Sequence, residues 1–147
     1  MSTREYPERP VVGVGAIIVD SVQGKRRVLL VRRGREPLKG QWSLPGGGLE
    51  TGERLADGLR REVREETGLE VSILGLAGVY DRIMPDASGK ARFHYVLIDY
   101  ICSVAGGELL AGADAAEVRW IPESELDALE ITALTLPVIK EVLAKAK

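Results

Sequence analysis

The segment Gly47–Leu69, GGLETGERLADGLRREVREETGL, decides the fold because it holds one strongly patterned helix bordered by glycines. From Arg54 to Thr67 the apolar residues recur with a helical period. Gly68 follows, a residue that commonly ends a helix in the left-handed conformation. We therefore predict a helix over 54–67 with one face in the core.

Three glutamates border the apolar face of this helix. At about 100° per residue, Glu62 and Glu66 lie within roughly 20° of Leu55, and Glu65 lies about 80° away. The plainer interpretation is a solvated face held by ion pairs between neighbouring turns. Carboxylates beside a core are costly, however, unless they are paired or bound to cations. Because hard divalent cations prefer carboxylate oxygens, the pattern indicates a metal site.

The rest of the chain alternates strands with loops and ends in helices. Strands are predicted at Val11–Val19, Val28–Val31, Val71–Met84, Arg92–Val104 and Val118–Ile121, loops at Gly34–Gly48 and Gly106–Ala116, and helices at Pro122–Leu129 and from Pro137 toward Lys147. Strands joined mostly by hairpins, with a few helices between them, favour a mixed sheet with helices packed on it. The fold class is therefore α/β.

Length and composition fit one domain. The 147 residues are 45% hydrophobic, and we expect a flexible polar segment over 1–10 followed by a single domain over 11–147. A net charge of -2 argues against a nucleic-acid polymer as partner. No apolar run reaches the ~18 residues needed to cross a membrane, and the N-terminus is not a signal peptide. Cys102 is the only cysteine and is expected to be a buried, inert thiol in a cytoplasmic protein.

The spacing of the segment resembles a known motif, the Nudix box. Gly47, Glu53, Arg61-Glu62-Val63, Glu65-Glu66 and Gly68-Leu69 match its nine fixed positions over 23 residues. The resemblance extends to LLVRRG at 29–34, WSLPGGG at 42–48, FHYVLIDY at 93–100 and EVRWIP at 117–122. A chance match over so many positions is very improbable.

The resemblance implies a Nudix α/β/α sandwich with a central mixed β-sheet. It also implies hydrolysis of a nucleoside diphosphate linked to another group, with Mg²⁺ or Mn²⁺ as cofactor. Glu62, Glu65 and Glu66 match the family's metal ligands and catalytic glutamates, and the carbonyl of Gly46 is a further expected ligand. A small-molecule nucleotide is the implied partner, and a homodimer is compatible with the resemblance.

Two further roles follow from the resemblance. Glu53 and Arg61 match a pair that orients the helix and its ligands. A carboxylate must also take the proton of the attacking water. Glu65 is one candidate for this base, and Asp114 and Glu117, in or just after the late loop, are the others. Each of the last two could equally be an ordinary exposed acid.

Candidate substrate-binding residues surround the glycine-rich loop. Arg32 ends the second strand where relatives contact phosphate or sugar, while Arg33 alternates to the other face. Trp42 and Tyr80 could stack on a base, although packing is an equal interpretation for each. His94 lies inside a strand and is expected to have a structural role.

The flanking sequence resembles the ADP-ribose pyrophosphatase-like branch of the family. GVYDRI at 78–83, FHYVLIDY and EVRWIP support this choice, and Pro85 lies near a proline position of the ADP-sugar group. The main alternative is a nucleoside triphosphate pyrophosphatase, including one for oxidised nucleotides. A second alternative is a nucleotide-binding module without catalysis, although such members usually have a degenerate box.

Overall fold

The computed structural model describes residues 4–145 of the chain. Within these described residues there are seven strands: β1 (Val11–Val22), β2 (Lys25–Arg33), β3 (Trp42–Ser43), β4 (Gly46–Gly48), β5 (Leu69–Pro85), β6 (Ala91–Gly107) and β7 (Ala115–Pro122). Two α-helices, α1 (Leu55–Thr67) and α2 (Thr135–Lys145), and a 3₁₀ helix (Glu123–Ala128) complete the fold.

The sheet is mixed, with the order β3-β2-β1-β6-β5. β1 and β6 run parallel, with Gly15 opposite Asp99, whereas β5 and β6 form a long antiparallel hairpin. β4 pairs with β1 and β7 with β2, both antiparallel. The long β1–β6 pairing places the glycine-rich β4 and the middle of β6 on either side of β1.

Helix α1 covers one face of the sheet. Leu59 and Val63 are fully buried against the alternate residues Val14, Ala16 and Ile18 of β1. Gly68 ends the helix with φ 78° and donates its amide hydrogen to the carbonyl of Arg64, as expected of a left-handed cap. The predicted helix and its C-terminal glycine are therefore confirmed.

Helix α2 covers the opposite face. Val138 and Val142 pack against Ile17, which points away from α1 because side chains alternate along a strand. The 3₁₀ helix and β7 add a second cluster that includes Leu126 and Ile121. Helices on both faces of a mixed sheet confirm the predicted α/β/α sandwich.

Some predicted boundaries differ. The loop predicted over Gly34–Gly48 contains β3 and β4, because a two- or three-residue strand leaves no periodic pattern. Helix α2 begins at Thr135, two residues before the predicted Pro137, and the last residues of the predicted helix, 146–147, lie outside the described part.

The N-terminal segment is described from residue 4 onward. Tyr6 donates its amide hydrogen to the carbonyl of Arg92 (2.7 Å) and its hydroxyl hydrogen to Asp86 (2.9 Å). Part of the segment predicted as flexible therefore lies against the end of the β5–β6 hairpin; its flexibility and the domain boundary at 11 stay predictions. Within residues 4–145, the helices are too short and polar to cross a membrane.

Candidate active site

The glycines of β4 let α1 approach the sheet closely. Gly46 has φ 156°, a conformation that side chains rarely adopt, and a Cβ there would collide with the carbonyl of Val14. A Cβ at Gly47 would instead collide with the carboxylate of Glu62. The backbone of β4 therefore forms a surface against which the acidic face of the helix can rest.

Glu66 is the most deeply placed of the three helix glutamates. Its Oε1 accepts a hydrogen bond from the amide of Gly46, with a nitrogen–oxygen distance of 2.9 Å. Burial raises the pKa of Glu66 to about 7, and the neighbouring Glu62 raises it further, against the lowering effect of the Gly46 amide. Without an added cation, this carboxylate is at a costly position.

Glu62 shares this buried edge. Burial raises its pKa although Arg61 donates to its Oε1 from 2.9 Å, and nearby Glu65 adds a further upward contribution. Two carboxylates with raised pKa beside a glycine backbone are an oxygen-rich, hard donor set. Such a set matches the oxygen ligands that divalent cations prefer, and Glu62 and Glu66 would be the residues that hold one.

Glu65 lies on the solvent side. Its side chain is 59% exposed and contacts Nη1 of Arg61 at 3.2 Å. Among residues 4–145 no three acidic, histidine or cysteine side chains converge as a ready metal cage. Mutual repulsion explains this arrangement, because each carboxylate turns to the nearest donor: Glu66 to Gly46, and Glu62 and Glu65 to Arg61. The predicted ligand roles of Glu62, Glu65, Glu66 and the Gly46 carbonyl all stay predictions.

Arg61 connects the helix to the loop before it. Its Nε and Nη2 lie 2.6 and 2.9 Å from the two carboxylate oxygens of Glu53, and Nη2 also donates to the carbonyl of Gly48 at 3.2 Å. The Arg61 guanidinium and the amide of Glu50 lower the pKa of Glu53 to about 2, so this carboxylate stays charged. The structure thus brings together the two residues predicted to orient the helix.

An open cleft of about 490 Å³ lies beside these residues. Glu62 and Glu66 line one side, and Arg33 and Arg82 carry positive charge on another. Burial lowers the pKa of Arg82, and the nearby Arg33 adds to this lowering. A cleft with acidic and basic sides suits a metal-bound phosphate ester, whose oxygens need cations on both sides.

Of the two candidate arginines on β2, Arg33 lines the cleft and Arg32 does not. Arg32 points to the other face of the strand, where its Nε lies 3.6 Å from Glu117. Arg33, and not Arg32, is therefore the arginine of β2 that lines the cleft. The predicted substrate-binding role of Arg32 stays a prediction, and Arg33 is the alternative that its position favours.

The two aromatic candidates also lie away from the cleft. Trp42 is 5% exposed and packs in the cluster around Ile121, with the guanidinium of Arg119 4.8 Å from its ring. Tyr80 packs beside Ile17 on the α2 side. Neither side chain is among those that line the cleft, and the predicted stacking of either ring on a base stays a prediction.

The two candidate bases in and just after the late loop, Asp114 and Glu117, lie at different positions relative to the cleft. Asp114 lines the cleft and forms an ion pair with Arg35 at 2.6 Å. Glu117 pairs with Arg32 and lies outside the cleft.

Cys102 is buried, and burial raises the pKa of its thiol to about 11, in keeping with the inert role expected of it.

The structure adds cleft residues that the sequence reading missed. Phe93, Tyr95, Leu97 and Asp99 line the cleft from alternate positions of β6, and Arg82 faces them from β5. The sequence feature that could have indicated them is Asp99, an aspartate in a mostly apolar strand, with Phe93 and Tyr95 at alternate positions on the same face. Its place beside the cleft depends on the parallel pairing of β6 with β1, which local sequence patterns do not show.

With this geometry established, comparison with known proteins identifies the class. The family model of the NUDIX domain matches residues 9–142, which is most of the chain. The chain therefore belongs to the Nudix hydrolase family, as the box at 47–69 predicts.

Individual relatives refine the comparison. The chain is 40% identical over 115 residues to an ADP-ribose pyrophosphatase of Methanocaldococcus jannaschii, covering 78% of this chain and 66% of that protein. It is 29% identical over 126 residues to the nucleoside triphosphatase NudI of Enterobacter sp., covering 81% and 89%. A MutT NUDIX hydrolase from Burkholderia pseudomallei, at 30% identity, superposes with a TM-score of 0.77 over 92% of this chain and 99% of that one. About a third of the archaeal enzyme has no counterpart in the match.

Proposed function

We propose that this chain hydrolyses the diphosphate linkage of a nucleoside diphosphate derivative in the presence of a divalent cation, with Mg²⁺ to be tried first and Mn²⁺ second. The observation that carries the proposal is the buried pair Glu62 and Glu66, held against the glycines of β4 at the side of an open cleft. A bound divalent cation would lower the pKa of a water and offset phosphate charge.

The chain's own residues divide the remaining work. Arg61, fixed by Glu53, holds the helix and loop in register so that Glu62 and Glu66 face the cleft. Arg33 and Arg82 supply positive charge to phosphate oxygens that the glutamates cannot contact. The proton of the attacking water goes to Glu65 or Asp114, both of which can reach bulk solvent and release it there.

ADP-ribose is the first substrate to test, giving AMP and ribose phosphate. The similarity at 40% identity to an archaeal ADP-ribose pyrophosphatase supports this choice. A nucleoside triphosphate, including an oxidised one, is the second candidate, supported by the similarity to NudI and to a MutT hydrolase. A cytoplasmic location and a homodimer stay predictions.

One substrate panel tests the proposal. Purified chain is incubated with ADP-ribose, other ADP-sugars and ribo- and deoxyribonucleoside triphosphates in Mg²⁺ or Mn²⁺. Phosphate is measured after a phosphomonoesterase acts on the products of the ADP-sugars, and after inorganic pyrophosphatase acts on the products of the triphosphates. We expect hydrolysis of at least one compound and none in excess chelator. Binding without hydrolysis across the panel would favour the non-catalytic nucleotide-binding module instead.

A further inference from the structure

Asp99 is a nearly buried carboxylate beside the cleft, within electrostatic range of Arg82 and Tyr80. Only 8% of the residue is exposed, and among residues 4–145 it makes neither a hydrogen bond nor an ion pair. It nevertheless lines the cleft, and its Oδ1 lies over β1, 2.6 Å from where a Cβ of Gly15 would be. Its free acceptor atoms therefore face the substrate space.

A carboxylate with so little access to solvent costs folding free energy. Among residues 4–145 no fully buried side-chain oxygen lacks a hydrogen-bond partner, so the oxygens of Asp99 keep their remaining access through the cleft. Burial raises the pKa of Asp99 to about 6, and Arg82 offsets this only in part. A leucine of similar size would fill the same space without this cost, so a purely structural role does not account for the aspartate.

Asp99 lies in line with the proposed metal-binding edge. Gly46, Gly15 and Asp99 are register partners across β4, β1 and β6. Neighbouring strands are about 4.8 Å apart, so the backbone of Asp99 lies about 10 Å from that of Gly46. Gly46 and Gly15 have no side chains, so the cleft stays open between Gly46, which contacts Glu66, and Asp99, beside which Leu44 also approaches Gly15.

We propose that Asp99 is a specificity-determining residue that accepts hydrogen bonds from the vicinal hydroxyls of a ribose next to the cleaved diphosphate. This inference rests on the proposed function. An ionised carboxylate is an acceptor only, so its partner must carry donors, and adjacent ribose hydroxyls offer two with a fixed spacing. Acidic side chains hold ribose hydroxyls in the same way in dinucleotide-binding folds.

The position favours a sugar over a base. A base needs a flat surface on which to stack, and the aromatic side of the cleft, at Tyr95, lies four residues away along β6, roughly 13 Å. Asp99 is therefore nearer to Gly15 and Gly46 than the aromatic side of the cleft is. A ribose linked to a diphosphate bound beside Gly46 would therefore lie closer to Asp99 than a base stacked on Tyr95 would.

The test compares substrates that differ by one hydroxyl. Wild type, Asp99→Asn and Asp99→Leu are assayed in Mg²⁺ on ADP-ribose, on its two analogues lacking the 2′-hydroxyl of either ribose, and on ATP and dATP. Asp81→Asn is the matched control, because Asp81 is an exposed aspartate on β5, outside the cleft. Thermal denaturation checks that each variant is folded.

We expect the wild-type kcat/KM to fall about 10- to 100-fold on one of the hydroxyl-deficient compounds, the loss expected for a charged hydrogen bond. In Asp99→Leu, the ratio of kcat/KM between the intact compound and its hydroxyl-deficient analogue should fall to within about 3-fold of unity, because other contacts contribute little. Asp81→Asn should keep the wild-type ratio. The analogue that loses activity identifies which ribose is held. A wild-type enzyme indifferent to every hydroxyl, or an Asp99→Leu variant that keeps the full ratio, would overturn the inference.

The two proposals can fail separately. If wild type hydrolyses ADP-ribose but does not distinguish the analogues, only the role of Asp99 is wrong. If wild type hydrolyses nothing, the proposed function is wrong. In that case calorimetry in Mg²⁺ measures the dissociation constants of the same compounds, and these replace the rates in the comparison. The same ratios between compounds and variants then decide for or against Asp99.

Discussion

Arg61 and Glu53 form a two-point ion pair, with nitrogen–oxygen distances of 2.6 and 2.9 Å, that joins the second turn of α1 to the loop preceding it. The remaining guanidinium nitrogen, Nη1, reaches Glu62 at 2.9 Å. One side chain therefore sets the distance between the loop and the glutamates that line the cleft.

Arg61→Lys should weaken this connection, because an ammonium group cannot match the planar, two-point geometry. We expect a loss of about 1–3 kcal/mol in the free energy of unfolding and a fall in kcat of at least about tenfold. Urea denaturation and steady-state kinetics measure the two effects. Arg64→Lys is the control, since Arg64 is exposed on the same helix and pairs with Glu70; equal losses in both variants would contradict the special role of Arg61.

Glu66→Gln should lower kcat by orders of magnitude and leave the fold intact. The amide can still accept a hydrogen bond from Gly46, but it has no charge to offer a cation. Added Mg²⁺ should raise the melting temperature of wild type, and this rise should shrink in Glu66→Gln. Glu70→Gln, an exposed change outside the cleft, should behave as wild type. Near-normal turnover in Glu66→Gln would show that this glutamate is not a ligand.

The stability of the metal-free protein should depend on pH through Glu66. Its pKa in the folded chain is about 7, above the ordinary 4.5, so folding favours the protonated form. The stabilisation is complete below pH 4.5 and is lost as the pH rises through 7, by up to about 3 kcal/mol. In chelator, Glu66→Gln should therefore become more stable relative to wild type as the pH is raised from 5 to 8. A constant difference between the two proteins over this interval would contradict the assignment.

Gly47→Ala tests the contact between β4 and α1. The added methyl group would occupy the position of the Glu62 carboxylate, which must then move. We expect a fall in kcat of about tenfold or more, because small displacements of site residues are costly. Gly75→Ala is the matched control, since a Cβ at Gly75 meets nothing within 4 Å. If both variants keep wild-type kinetics, the close approach of β4 has no part in the activity.

Asp114 and Glu117 can be distinguished by paired amide variants. Asp114 lines the cleft, whereas Glu117 is held outside it by Arg32. Asp114→Asn should lower kcat, and the pH dependence of kcat should lose its acidic limb if Asp114 is the base. Glu117→Gln should leave both unchanged. The reverse result would indicate that Glu117 is the proton acceptor. If neither variant changes kcat or its pH dependence, Glu65 is the remaining candidate.

Local patterns predicted the parts of this protein that depend on near neighbours in sequence. Helix α1 and its glycine cap followed from periodicity, and the mixed α/β/α architecture from the alternation of elements. The strands β3 and β4 were missed because they are held by partners far along the chain, such as Gly46 by Gly15. A pairing of this kind leaves no periodic trace.

The same reasoning explains the site. The pairing of Glu53 with Arg61 could be foreseen because the two residues lie only eight positions apart in the chain. Which arginine of β2 faces the cleft could not, because this depends on which sheet face the cleft occupies. Asp99 was overlooked for a related reason: its importance comes from the parallel neighbour Gly15, more than eighty residues earlier in the sequence.

The glycine floor of the cleft also constrains how this protein can diverge. Each single-base change that replaces a glycine adds a side chain, and at Gly46 that side chain would meet backbone that cannot yield. Few substitutions at these glycines are therefore compatible with the fold, so selection for a new substrate has little variation to act on there. Substitutions that change specificity should instead accumulate at the sides of the cleft, on β6 and in the loop after β2. A substitution there can change the contacts with the substrate and leave Glu62 and Glu66 in place.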